Sequence, residues 1–322
     1  MQYSRNIIIT LYILNLNILI IQNVKKIALL LVALLMTGAV QSKKEKDIAG
    51  HVIIIGFDGW GSYAMREKGK VPNIRHYMSE GCYTLNKRTM RPSISGPNWA
   101  AQMNGTMVEA SGIIGNETKP VFKPLLLTEH DAQPTFFHLM RQERPDAELG
   151  IVCEWSGFQY YADTLCLNYN KRIHEPSKNP EAIVQESVKY IKEKKPVICF
   201  IHVDAMDHAG HSYGRGTDEY YATMEHCDGQ IPQILDAVKE AGFYDDCIFI
   251  LTSDHGHHGT GHGGDSLDEI ETPFVIWGKG VKKGGVEITD PVLQIDVAAT
   301  VAKIFHLKTP KSWRGQPIDV FK

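Results

Sequence analysis

Five short runs of this chain are apolar almost without interruption: Val52 to Phe57, Gly150 to Cys153, Val197 to Val203, Cys247 to Thr252 and Phe274 to Trp277. A strand that alternates apolar and polar residues can leave one face in water, but a strand apolar throughout must be covered on both faces. Between these runs lie stretches with helical spacing, clearest at Pro180 to Glu193, Tyr220 to Ala241 and Gln294 to Phe305. Strands alternating with helices predict an α/β fold, a three-layer α/β/α sandwich around a mostly parallel central sheet. With 43% hydrophobic and 22% charged residues in 322, the chain can bury a full core. No internal repeat or low-complexity segment interrupts the pattern. One catalytic domain is expected over residues 50–322, after a polar linker at 43–49.

Residues 1–42 read differently. Ile7 to Ile21 is mostly apolar; Lys25 and Lys26 then precede a second apolar run, Ile27 to Leu35, and small residues follow before Ser42. A basic start, a short apolar stretch and small residues make a secretory signal, here over 24–42. Each run is shorter than the roughly 20 residues a spanning helix needs. Because the second unit is complete by itself, translation is expected to begin at Val24. The expectation is a periplasmic or secreted protein, with an uncleaved N-terminal segment as the alternative and the one membrane contact. A net charge of −3 and a pI near 6.5 give no general attraction to nucleic acid, so no nucleic-acid partner is expected. Six cysteines without C-x-x-C spacing argue against a zinc knot or a thioredoxin-like motif, and none is read as catalytic. Oligomeric state and disulfide pairing are not legible.

Polar residues fall where such a sheet collects ligands, beyond the carboxyl ends of its strands. Asp58 follows the first run, Asp204 and Asp207 the third, and Asp254 and His255 the fourth. Eight of 14 histidines lie between His202 and His262. Asp207 and His211 stand four apart, Asp254 and His255 are adjacent, and His262 sits in the glycine-rich Gly261 to Gly264. Mixed carboxylate and imidazole donors suit zinc, and manganese less specifically. Alone, an Asp after a strand is more often a helix cap; the combination at three strand ends predicts a metal site. His202, inside an apolar run, reads as a core histidine, and His257 and His258 as solvated loop residues.

Ser95, in Ser95-Gly96-Pro97-Asn98, precedes a turn and a helix start, which would place its hydroxyl among backbone N–H donors. With Gly56-Phe57-Asp58-Gly59, Gly112 to Asn116, Asp207 to Gly214, Ser253 to Gly256, Gly261 to Gly264 and the closing Arg314-Gly315-Gln316-Pro317, the chain resembles the alkaline phosphatase superfamily, in its nucleotide pyrophosphatase/phosphodiesterase branch. The resemblance implies two divalent ions, zinc first, one held by Asp207, His211 and His262 and the other by Asp58, Asp254, His255 and the Ser95 oxygen. It implies Ser95 as nucleophile, a phosphoseryl intermediate, and Asn98 donating to a non-bridging oxygen, with Asn116 also at the substrate.

Two departures bear on the substrate, a small phosphoester. The branch usually has threonine followed by an aromatic residue that stacks on a nucleobase, whereas Gly96 follows Ser95; Tyr160 or Tyr161 would have to supply that face. Only a short loop separates His255 from His262, which resembles the phosphoethanolamine transferases of the same superfamily. Phosphodiester hydrolysis is the leading expectation, then phosphoethanolamine-type transfer. Sulfatase chemistry is disfavoured because Trp99 stands where that motif needs arginine, and an inactive metal-binding domain because every ligand position is filled.

Overall fold

The computed structural model describes residues 16–17, 19–27, 45–117, 119–174 and 179–322. They divide into two compact units, 1–45 and 46–322. In the first unit residues 16–17 and 19–27 are helical, and most of the expected signal at 24–42 lies outside the described residues. No helix among the described residues is long and apolar enough to cross a membrane.

The second unit is built on eight strands: β1 His51–Phe57, β2 Cys82–Arg88, β3 Leu149–Cys153, β4 Tyr169–Arg172, β5 Ile198–Val203, β6 Cys247–Thr252, β7 Glu271–Gly278 and β8 Val286–Glu287. Their order across the sheet is β4-β3-β5-β1-β6-β7-β2-β8. Strands β4, β3, β5, β1 and β6 run parallel, while β7 is antiparallel to both β6 and β2. The sheet is therefore mixed but mostly parallel, and the expected α/β/α sandwich is the fold.

Side chains along β1 alternate between two cores, as the period of two requires. Val52 and Ile54 join a core with the helices Ser95–Asn104, Phe136–Glu143 and Gln294–Ile304; Ile53, Ile55 and Phe57 join the opposite one with Pro72–Glu80, Ala182–Lys194 and Asp218–Glu240. Burying each of these side chains contributes about 1.5–3 kcal/mol.

The five expected strands are present, with ends moved by up to three residues. Strands β2, β4 and β8 were not expected. In β2 the sequence CYTLNKR mixes burial with polarity, because Lys87 points inward and is fully buried.

The register of the central strands decides where the chemistry falls. Gly56 of β1 pairs with His202 of β5 on one side and Thr252 of β6 on the other. Two residues beyond each lie Asp58, Asp204 and Asp254, so three carboxylates leave the sheet at one level. Beyond β3, Glu154 Oε2 accepts the Asp204 N–H at 2.6 Å, joining the ends of β3 and β5.

Burial pushes the Glu154 carboxyl up to about 7, against the Asp204 N–H, which lowers it. A carboxyl raised on folding contributes stability that is complete below its unfolded value and is lost as pH rises through the folded one. Glu154→Gln, neutral at every pH, is therefore expected to gain stability relative to the parent between pH 5 and pH 8, by on the order of 2 kcal/mol. Denaturant unfolding at the two pH values measures it; a pH-independent difference would contradict the assignment.

Candidate active site

Asp58 is almost fully buried, and its two oxygens have different surroundings. Oδ2 accepts the Trp99 Nε1–H at 3.0 Å and pairs with His202 Nε2 at 2.9 Å. Oδ1 has no hydrogen-bond partner and faces His255 Nε2 at 3.4 Å. Asp254 is arranged the same way: Oδ1 accepts the Gly59 N–H at 3.1 Å, while Oδ2, without a partner, lies 3.2 Å from His255 Nε2. Ser95, the first residue of the helix Ser95–Asn104, places Oγ 3.2 Å from the same nitrogen.

A second cluster adjoins the first. Asp207, His211, His257 and His262 bring ligand atoms within 4.8 Å of one another. His211 Nε2 and His262 Nε2 are 3.1 Å apart, and Asp207 Oδ2 lies 3.4 Å from His211 Nε2. Asp207 Oδ1 lies 3.6 Å from His262 Nε2 and 3.1 Å from His257 Nε2, yet meets no donor in hydrogen-bonding geometry. The rings of His255 and His262 stack at 3.7 Å, so the two clusters share a wall.

The protonation pattern is fixed from behind. His211 Nδ1 pairs with Thr260 O at 2.9 Å, His262 Nδ1 with Ser93 O at 3.1 Å and His255 Nδ1 with Gly256 O at 3.1 Å. Each Nδ1 must carry the proton to donate to a carbonyl, which turns the lone pair of Nε2 toward the carboxylates. Burial holds His255 down to about 4, and burial together with His255 holds His262 down to about 3, so both rings are neutral. Burial also raises Asp58, with Asp254 and Asp207 adding to the effect, and raises Asp254 to about 7 with Asp207 adding. Asp207 resists its own burial and is held below its usual range by His257, His255 and His262. Three carboxylate oxygens, Asp58 Oδ1 and Asp254 Oδ2 in full burial and Asp207 Oδ1 in partial burial, thus face imidazole nitrogens without a hydrogen-bond donor. These donors fit divalent cations, one among Asp58, Asp254, His255 and Ser95 and one among Asp207, His211 and His262.

Residues 52–306 match the family described as type I phosphodiesterase / nucleotide pyrophosphatase. The chain belongs to this family. Among curated relatives, GPI ethanolamine phosphate transferase 1 of Saccharomyces cerevisiae is 39% identical over 138 aligned positions, a match covering 37% of this chain and 15% of that protein. The match thus spans a small part of the relative's length. Among solved structures, murine ectonucleotide pyrophosphatase/phosphodiesterase 5, determined as an inactive variant with AMP, superposes with a TM-score of 0.65 at 15% identity, covering 83% of this chain and 96% of that one. A 2-O GAG sulfatase superposes with a TM-score of 0.68 at 15% identity, covering 84% and 73%. Both likenesses concern the alkaline phosphatase-like fold.

Within this phosphodiesterase-family site, two sequence readings need correction. His257 is not a solvated loop residue: it is fully buried against Asp207. Its ring leaves no room for a side chain at Gly210, where a Cβ would lie 2.4 Å from His257 Nε2. The glycine between Asp207 and His211 was the available signal. His258, beside it, is exposed as expected.

Asn98 does not offer its amide to a substrate. It is fully buried; Oδ1 accepts the Met90 N–H at 2.6 Å, and Nδ2 donates to Ile94 O at 2.8 Å and Pro92 O at 3.2 Å. It shapes the loop that delivers Ser95. Asn116 is the amide beside the nucleophile instead: its Oδ1 accepts the Gly96 N–H at 2.7 Å, and the side chain is otherwise exposed.

Gly96 has a steric reason. A Cβ there would lie 2.0 Å from Gly115 O and 2.7 Å from the Tyr161 hydroxyl, so no aromatic residue fits. Tyr161 is buried and donates to Glu117 O at 3.0 Å. Tyr160 is 55% exposed and, with Tyr161 and Phe122, lines a cavity of about 530 Å³.

Two further residues gave no sequence signal. Lys87 Nζ, fully buried, donates to Ser253 O and Gln294 Oε1 at 2.6 Å each and to Thr252 Oγ1 at 2.9 Å, bracing the end of β6. Ser93 donates to Gly264 O at 2.8 Å and accepts the Gly263 N–H at 3.1 Å, tying the nucleophile loop to the His262 loop.

Asn98→Ala is expected to lower unfolding free energy by about 1–3 kcal/mol, because it leaves the buried Met90 N–H without a partner. Equilibrium denaturation measures the loss. Unchanged stability with a raised KM would restore the substrate-binding role.

Proposed function

We propose that this family member is an exported, two-metal phosphodiester hydrolase acting through a phosphoseryl intermediate on Ser95. One observation carries the reading: Ser95 Oγ, at a helix N-terminus, sits 3.2 Å from His255 Nε2 beside carboxylate oxygens of Asp58 and Asp254 that lack donors. That is the surrounding an ionised serine needs, a focus of ligands for positive charge rather than a general base. Bound there, zinc or manganese would supply Lewis-acid charge to the serine oxygen and to the departing oxygen.

The chain's own residues divide the remaining work. Trp99 and His202 hold one oxygen of Asp58 and so aim the other. Ser95 attacks phosphorus; its Oγ–P bond forms as the ester P–O bond opposite breaks, and the leaving alcohol takes a proton. Water then attacks the phosphoseryl group and returns the serine hydroxyl. Asn116, its carbonyl fixed by the Gly96 N–H, presents Nδ2 to a non-bridging oxygen, the role the family resemblance implies for Asn98.

A diester suits this wall better than a monoester. The extra charge of a monoester calls for a cationic clamp, and Arg91, the cation nearest Ser95 in sequence, pairs with Asp265 at 3.1 Å. The excluded side chain at Gly96 removes the stacking face next to the nucleophile, so little preference among nucleobases is expected. Nothing in this reading calls for nucleic acid as a partner.

The 39% identity to a GPI ethanolamine phosphate transferase favours a second reading, in which an alcohol replaces water in the second step. The two share Ser95 and the metal ligands and differ in the acceptor.

Bis(p-nitrophenyl) phosphate is expected to be cleaved with a higher kcat/KM than p-nitrophenyl phosphate, and excess chelator or Ser95→Ala should lower turnover by about three orders of magnitude or more. A higher specificity constant for the monoester would overturn the diesterase assignment, and full activity in chelator would overturn the mechanism. Product analysis with an added amino alcohol or glycan acceptor separates hydrolysis from transfer.

A further inference from the structure

A third convergence of ligand atoms lies away from the strand ends. His130 belongs to the segment leading into the helix Phe136–Glu143, His138 to that helix, and Asp163 and Cys166 to the short turns that follow β3. We propose that these four residues form a third cation site, for a zinc-class divalent ion that ties the loop before the helix to the turns carrying Tyr160 and Tyr161.

The distances describe a coordination shell. His130 Nδ1 lies 3.0 Å from Asp163 Oδ1, and His138 Nδ1 lies 3.6 Å from Oδ2 of the same carboxylate. Cys166 Sγ lies 3.9 Å from His130 Nδ1 and 3.7 Å from His138 Nδ1. Zinc bonds of about 2.0–2.3 Å in tetrahedral geometry put neighbouring ligand atoms about 3.3–3.6 Å apart. The observed edges bracket that range, and all four atoms lie within 4.8 Å of one another.

The surroundings fit a metal better than a chance meeting of polar groups. Both imidazoles present Nδ1 inward and direct Nε2 outward, where the two oxygens of the exposed Glu129 lie 3.9 Å from them, one each. Asp163 takes a positive φ of 41°, a backbone conformation that non-glycine residues seldom adopt, while its side chain is 1% exposed. Arg141 fixes Cys166 by donating from Nε and Nη2 to its carbonyl at 3.1 and 2.8 Å. A cavity of about 390 Å³ lined by His130 and Asp163 gives an ion a way in. Two nitrogens, one sulfur and one oxygen suit zinc and exclude calcium or magnesium, which take oxygen ligands.

A competing arrangement holds only protons, with Asp163 bonded to one protonated histidine. There the Cys166 thiol keeps its proton and donates it to His138 Nδ1 at 3.7 Å, so the two arrangements differ in whether the sulfur is a thiol or a thiolate.

Cobalt separates them, because the two clusters at the strand ends contain no cysteine, and a thiolate-to-cobalt charge-transfer band in the near ultraviolet can arise only at a cysteine. Full-length protein stripped of metal and titrated with Co²⁺ is expected to develop this band with one equivalent bound at the site. Cys166→Ser should abolish the band, and Asp254→Asn should retain it, so the result stands whether or not the phosphodiesterase reading holds. Absence of the band in the cobalt-loaded parent would overturn the proposal even if Cys166→Ser does not fold. Persistence of the band in Cys166→Ser would assign the sulfur to another cysteine and overturn it equally.

Discussion

The parallel pairing of β1 between β5 and β6 is the constraint on which the rest depends. Because Gly56, His202 and Thr252 share one level, the residues two places on, Asp58, Asp204 and Asp254, emerge together. A slip of one residue would send every β1 side chain to the opposite core and move Asp58 off that level. The register is held by burial on both faces: Ile53 and Ile55 in one core, Val52 and Ile54 in the other. Hydrophobic packing thus sets the level of the carboxylates, and polar contacts such as those of Trp99 and His202 with Asp58 then fix their orientation.

Once together, those carboxylates repel one another, and the buried lysine nearby is not directed at them. Lys87 is buried nearby but engages Ser253 O, Thr252 and Gln294. The histidines are locked with Nδ1 donating outward and are depressed by burial, so they offer lone pairs rather than charge. Burial and mutual repulsion raise Asp58 and Asp254, and each keeps an oxygen without a donor. The nucleophile is built into the same frame: Asn98 shapes the loop before Ser95, and Ser93 anchors that loop to Gly263 and Gly264.

Legibility in the sequence followed the physics of each feature. The central strands were readable because burial on both faces forces unbroken apolar runs. β2 was not, because Lys87 and Thr84 point inward while polar neighbours share the strand. Asp58, Asp207, His211, Asp254, His255 and His262 stood out because strand ends and short spacings concentrate them. His257 was hidden by its neighbour His258, which has the same type and an opposite environment. Asn98 was misread because a motif gives proximity to the nucleophile but not the direction of a side chain. The cluster of His130, His138, Asp163 and Cys166 was invisible for a different reason: its members are spread over 36 residues without a repeating interval, and only the tertiary fold joins them.

The central claim is that the donor-free carboxylate oxygens at the strand ends exist to hold two cations beside Ser95. Anomalous diffraction from crystals grown with zinc, recorded on both sides of the zinc absorption edge, tests it most directly. The account predicts two peaks there, one bounded by Asp58, Asp254, His255 and Ser95 Oγ, the other by Asp207, His211 and His262, and the second also shows whether His257 is a ligand or a neighbour. A fully occupied zinc site elsewhere with no peak between Asp58 and Asp254 would contradict the account.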